Sequence, residues 1–271
     1  MPTMGNKNSM CGLKRFPNYK KSPIGSFAKN SSSHDGIKTI EAVNSCSFSR
    51  KADLCIRIIT WNMNGNVSYE DLVELVGKER KFDLLVVGLQ EAPKANVDQL
   101  LQTASSPTHE LLGKAKLQSV QLYLFGPKNS HTLVKELKAE RYSVGGCGGD
   151  LNYRIQDVSN HPVRSLIQNH LQSVLVSKDQ LLQEAERGEI FKGYSEGTLG
   201  FKPTYKYNVG SSDYDTSHKI RVPAWTDRIL FKIQDTDNIQ ATLHSYDSID
   251  QVYGSDHKPV KADLCLKWVN S

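Results

Sequence analysis

The run Cys55-Ile56-Arg57-Ile58-Ile59-Thr60-Trp61 is rich in β-branched residues, and Phe82-Asp83-Leu84-Leu85-Val86-Val87-Gly88-Leu89 is almost continuously apolar. Both suit strands, the second one covered on both faces. Between them, Tyr69 to Arg80 carries apolar residues at Leu72, Val73, Leu75 and Val76, the stripe of an amphipathic helix. Strand, helix, strand is the unit of a layered α/β fold, which gathers functional groups where its strands end. Asn62 and Asn64 follow the first strand and Gln90-Glu91 the second, so two strand ends offer amides and a carboxylate to one crevice.

Outward from this unit, Ser119 to Phe125 reads as a strand, Thr132 to Glu140 as a short helix and Val163 to Glu186 as one or two helices. Ile229 to Ile233 and Ala262 to Trp268 read as late strands, with Ser255-Asp256-His257-Lys258-Pro259 between them. The 271 residues suffice for one sizeable core, placed at 53–271. Residues 1–52 are of another texture: rich in Ser, Asn, Gly and Lys and without helical or strand periodicity, they read as a disordered segment. Residues 1–51 hold nine Lys or Arg against Asp35 and Glu41, a local +7 within a total of +5. Such a tail can approach an anionic membrane surface.

No apolar run is long enough to span a bilayer, and Met1-Pro2 is not a myristoylation start. The expectation is a soluble, cytoplasmic monomer, with peripheral membrane contact as its only membrane association. Cys11, Cys46, Cys55, Cys147 and Cys265 are scattered, odd in number and without a CxxC pair, so all are expected as reduced thiols.

The chemistry concentrates between Phe201 and Leu230. Lys202, Lys206, His218, Lys219, Arg221 and Arg228 supply cationic donors among rigid prolines, a composition for gripping phosphate. Glu91, the Asp150-Leu151-Asn152 turn and Asp256 offer hard oxygen ligands, which favour Mg²⁺ over zinc. His257 needs an orienting acceptor, and Asp227 can fill that place. Together these groups suit metal-assisted hydrolysis of a phosphate ester.

Five segments in order then carry a resemblance: Thr60-Trp61-Asn62-Met63-Asn64-Gly65; Gly88-Leu89-Gln90-Glu91; Gly149-Asp150-Leu151-Asn152-Tyr153-Arg154-Ile155; the Phe201 to Leu230 loop; and Ser255-Asp256-His257-Lys258-Pro259-Val260. From Ile58 to Leu266 the chain resembles the inositol polyphosphate 5-phosphatases, plant-like members of the DNase-I-like endonuclease/exonuclease/phosphatase superfamily. The resemblance implies a two-sheet β-sandwich flanked by helices in four layers. It implies Mg²⁺ held by Asn64 and Glu91 with Asp256 nearby, Asp150 activating water, Asn152 orienting it, and Asp227 with His257 as a supporting dyad. Tyr205, Lys206, Lys219 and Arg221 would read the 4-phosphate of the inositol ring. The implied activity is removal of the 5-phosphate from phosphatidylinositol 4,5-bisphosphate and related inositides, lipid or soluble. Nucleic acid has less need of that cradle, so a nuclease of the same superfamily is the lesser alternative.

One departure stands out. In the family a buried apolar strand leads into the Gly-Asp-Leu-Asn motif, whereas here Tyr142-Ser143-Val144-Gly145-Gly146-Cys147-Gly148-Gly149 precedes Asp150. A Gly/Lys-rich turn, a strand ending in a phosphate-touching histidine and a helix are absent, and His131, in a polar turn, does not replace that histidine. The simplest account is an internal deletion near 147–150, as in a spliced form, which removes central elements and predicts weak or absent turnover. An inactive phosphoinositide-binding form is therefore a second alternative.

Overall fold

The computed structural model describes residues 36–43, 53–77, 82–94, 96–106, 108–128, 148–188 and 190–269. In chain order the strands are β1 (Lys38–Ile40), β2 (Asp53–Asn62), β3 (Leu84–Gln90), β4 (His109–Leu117), β5 (Val120–Pro127), β6 (Gly148–Asp150), β7 (Ser195–Gly197), β8 (Asp227–Phe231), β9 (Ile239–Ser248) and β10 (Val260–Trp268). The α-helices are α1 (Tyr69–Val76), α2 (Val97–Ser105), α3 (Asn160–Gln168) and α4 (Gln180–Glu186), with a 3-10 turn at Gln172–Lys178.

The strands form two mixed sheets, ordered β4-β5-β3-β2-β10-β9 and β1-β7-β8-β6. The decisive unit is as read: β2 and β3 lie parallel with Asn62 opposite Gln90, and α1 connects them. Alternation along β2 sends Ile59 and Trp61 into a core shared with Leu72 and Leu75 of α1 and Leu101 of α2. Ile58, on the opposite face, joins a second core with Ile229, Tyr246, Ala262 and Leu264, closed by Val163 and Ile167 of α3. The layers run helix, sheet, sheet, helix, the expected sandwich.

Ser68 caps α1 by accepting from the Asp71 N–H, and Gly77, at φ +76°, ends it. The helix is thus shorter than its apolar stripe suggested, because the left-handed turn suits glycine. The stretch Val163 to Glu186 resolves into α3, the 3-10 turn and α4. β4, β6, β7, β9 and α2 were not anticipated; β6 is a three-residue strand into the Asp150 motif whose glycines carry no apolar pattern. The candidate helix Thr132–Glu140, His131 and most of the segment leading to Asp150 lie outside the described residues.

Two expectations are corrected. Residues 36–43 are part of the fold: Lys38–Ile40 pairs in parallel with Ser195–Gly197. A three-residue strand with two exposed side chains has no legible alternation, and Gly36 lies where a Cβ would strike the Ala185 carbonyl of α4. Cys55 and Cys265 are not free thiols but a disulfide. They are 210 residues apart in sequence yet directly opposite in the β10–β2 register, a proximity that only the strand pairing creates.

The second core contains a charge. Arg228 is fully buried, forking onto both Glu196 oxygens at 2.6 Å and onto Asp179 at 2.9 and 3.0 Å. Tyr246 adds a hydrogen bond to Glu196 at 2.7 Å and packs where a Cβ on Gly197 would collide with it. Asp179 is also the N-cap of α4. Removing one member of such a cluster leaves buried charge uncompensated.

Arg228→Ala should destabilise the fold by about 3–5 kcal/mol, read as a lowered midpoint in guanidinium unfolding. Under non-reducing conditions Cys55→Ala/Cys265→Ala should cost about 2–4 kcal/mol, and added dithiothreitol should erase that difference.

Candidate functional site

The polar ends of β2 and β3, the turn after β6, the start of β8 and the loop before β10 converge. Gly149 passes the Gln90 amide with φ +144°, where an added Cβ would lie 3.3 Å from Gln90 Nε2. This close passage sets Asp150, paired with Asp227 in the β6–β8 register, beside the end of β2. Asn62, buried, donates its amide to Asp150 Oδ2 at 3.0 Å, and the Asn152 N–H donates to Oδ1 at 3.0 Å.

His257 is stitched to the same strand end. Ser255 Oγ donates to the Asn62 carbonyl at 2.7 Å and accepts from the His257 N–H at 3.1 Å, while the Trp61 indole donates to the His257 carbonyl at 3.2 Å. The imidazole Nδ1 lies 2.9 Å from Asp227 Oδ2, which also accepts from Thr204 at 2.7 Å and Thr226 at 2.8 Å. Asp227 Oδ1 is buried without a hydrogen-bond partner. On the other side of the ring, Nε2 is 3.8 Å from Asp150 Oδ2 and 4.0 Å from Asp256 Oδ1.

The electrostatics follow from this crowding. Burial, and then the Asp227 carboxylate, raise Asp150 above the ordinary carboxylate range against the pull of His257 and the two amide donors. For His257 burial opposes the charge, but Asp227, by its charge and its hydrogen bond, together with Asp150 and Asp256, lifts the imidazole to about 9. His257 is therefore an imidazolium at neutral pH, held by Asp227 and facing Asp150.

Tyr205 and Lys206 reach this centre. The Tyr205 ring lies 4.6 Å from the imidazole, and Lys206 Nζ is 3.5 Å from Asp256 Oδ2. Lys219 and Arg221 are exposed on the same long loop, fixed through its backbone: Asn160 donates to the Ile220 and Arg221 carbonyls, and the Arg221 N–H to Asp215 at 2.8 Å. Asn64 and Glu91 stand exposed at the mouth, both at φ +48°, joined by the Gly65 N–H to the Glu91 carbonyl at 2.9 Å. The structure thus gathers Asp150, Asp227, Asp256, His257, Tyr205 and Lys206 closely, with Asn152 attached through its backbone.

Three participants were absent from the site expected on sequence. Asn62, named there only as a polar strand end, is the amide that holds Asp150, and its place directly after the buried Trp61 was the available signal. Thr204 and Thr226 saturate one Asp227 oxygen, a role invisible without the fold. Ligand atoms of Asp150, Asp227 and His257 lie within 4.8 Å of one another; a metal ion there would need the imidazole neutral and so would displace the proton that Asp227 favours.

Residues 147–263 match the model of the Endonuclease/Exonuclease/phosphatase family 2. A type IV inositol polyphosphate 5-phosphatase of Arabidopsis thaliana is 81% identical over an alignment of 334 positions that covers all of both chains. The chain belongs to the inositol polyphosphate 5-phosphatase family. It is a phosphoric monoester hydrolase by that membership, and its fold and plant-like character agree. A phosphatidylinositol 4,5-bisphosphate 5-phosphatase of Mus musculus is 42% identical over 131 residues, 44% of this chain but 13% of that one. Among solved structures, the 5-phosphatase domain of a synaptojanin with inositol (1,4)-bisphosphate and calcium aligns over 80% of this chain and 86% of that one, with TM-score 0.66 and 23% identity. A Cimex nitrophorin aligns over 80% of this chain and all of its own, with TM-score 0.63 and 19% identity. Fold alone therefore does not fix the chemistry; these two likenesses establish only the sandwich.

No helix among the described residues is long and apolar enough to cross a membrane. In chelator, His257 should stabilise the fold fully below pH 6.5, its unperturbed value, and lose that contribution as pH rises through about 9. The stability gap between the chain and His257→Gln should accordingly narrow across that window in urea titrations, and a gap that widens would contradict the raised imidazole.

Proposed function

We propose that this protein is a Mg²⁺-dependent phosphoinositide 5-phosphatase of reduced turnover, acting on phosphatidylinositol 4,5-bisphosphate and related inositides. The observation that carries the reading is the Asp227–His257–Asp150 array standing beside Tyr205 and Lys206. Asp150 takes a proton from the attacking water, oriented by Asn152, and its raised pKa suits that task. The His257 imidazolium, held by Asp227, faces the phosphoryl oxygens and neutralises charge that develops there. Tyr205, Lys206, Lys219 and Arg221 grip the neighbouring 4-phosphate.

The donor set fits a hard cation. Asp256, Glu91 and the Asn64 amide would hold Mg²⁺ through oxygen, the donor type that a hard cation prefers. When bound, the ion would supply charge neutralisation on the scissile phosphate. Peripheral contact with an anionic membrane through the basic residues ahead of β1, a monomeric state and a cytoplasmic location, where the Cys55–Cys265 pair would face a reducing thiol pool, belong to the same reading.

The reduction in turnover is favoured by a separate observation. The alignment with the Arabidopsis thaliana enzyme spans 334 positions, 63 more than the 271 residues here. An identity of 81% over 334 positions amounts to about 271 identical ones, the length of this chain. The two thus differ almost wholly by positions absent here, which supports an internally shortened domain. With the segment before Asp150 cut, the water-delivering side is the weaker half. Displacement of about 1 Å at such a centre can cost a hundredfold in rate. Inositide binding without turnover is the second reading.

Phosphate release from a 4,5-bisphosphorylated inositide, assayed with Mg²⁺ and with chelator, should be metal-dependent and at least tenfold below that of the Arabidopsis thaliana relative. Turnover equal to that relative would contradict the impairment; headgroup binding without any release would select the second reading. Lys206→Ala should lower kcat/KM by roughly tenfold to a hundredfold through loss of a charged phosphate contact.

A further inference from the structure

We infer that Arg154 is a positioning residue that bridges the two halves of the site, locking the Asp150-Asn152 turn to the Tyr205 wall. The inference rests on the inositide reading above. Arg154 Nη2 donates to Asn152 Oδ1 at 2.9 Å, while its guanidinium lies over the Tyr205 ring at 4.4 Å from the centroid. Tyr205 in turn stacks, tilted, against His257. One planar side chain thus touches a residue assigned to orient water and a residue assigned to the 4-phosphate.

The bridge has firm footings on both sides. The Arg154 N–H donates to Gln180 Oε1 at 3.2 Å, and its carbonyl accepts from the Gln180 N–H at 2.9 Å, which fastens its backbone to the first turn of α4. Tyr205 pairs with Ala224 through two backbone hydrogen bonds of 3.2 and 2.8 Å, and Lys258 donates to the Thr204 carbonyl at 2.9 Å. Asn152, by contrast, is exposed at φ +58°, a conformation that asparagine adopts more readily than most residues, and its backbone N–H is held by Asp150. Its side-chain oxygen is the atom Arg154 holds. The required property is the flat, multi-donor guanidinium, which covers a ring and aims an N–H at once; a lysine ammonium has the charge but not the plane.

The test compares the full chain with Arg154→Ala and Arg154→Lys by hydrogen–deuterium exchange and by calorimetric binding of inositol 1,4,5-trisphosphate. Both variants should raise exchange several-fold in residues 150–154 and 203–208 together, with β2 and β3 unchanged and the thermal midpoint nearly so. Both should also weaken trisphosphate binding by roughly tenfold, with a smaller loss for an inositol phosphate lacking the 4-phosphate. A lysine variant indistinguishable from the unaltered chain would reduce Arg154 to a charge and overturn the bridge, as would loosening of only one segment. If the unaltered chain does not bind the trisphosphate, the inositide reading fails, and the exchange comparison alone still decides the bridge. Should the alanine variant not fold, the lysine variant carries the same comparison.

Discussion

A guanidinium buried among two carboxylates and a phenol organises much of this molecule. Arg228 sits on β8, its carboxylate partners on β7 and at the start of α4, and Tyr246 on β9 of the other sheet. Desolvating an arginine is costly, and only complete pairing offsets that cost. The cluster therefore has one satisfactory arrangement, which fixes the smaller sheet, the fourth helix and the larger sheet relative to one another. Neighbouring residues on a strand point to opposite faces, so anchoring Arg228 aims Asp227 the other way, toward His257.

From that frame the site is assembled at strand ends, which buried side chains of few rotamers tie to neighbouring backbone. The end of β2 is tied to the loop before β10 through Trp61, Ser255 and Asn62, and Asp150 is delivered by a three-residue strand that passes Gln90 at glycine distance. The same sandwich recurs in a nitrophorin at 19% identity, a likeness of fold alone.

What was legible in the sequence follows the range of each interaction. The β2–α1–β3 unit announced itself because hydrophobic periodicity is local, and the carboxylates and the imidazole did because their motifs are short. β1 was not legible: its pairing partner lies far along the chain and its own side chains carry no alternation. Cys55 and Cys265 looked like isolated thiols until register placed them side by side. That Asn62 turns inward to Asp150 while Asn64 stands exposed is decided by the strand's geometry and not by residue type. Thr204 and Thr226, which saturate one oxygen of Asp227, could not be singled out from residue type alone.

The Cys55–Cys265 bond has a topological meaning as well. It joins β2 to β10, so nearly the whole domain lies within one covalent ring. A peptide bond cut anywhere inside that ring leaves a single molecule with both halves of the site still tethered. Removing a segment from within it tightens the loop without opening it, so a shortened chain keeps the same closure as a longer one.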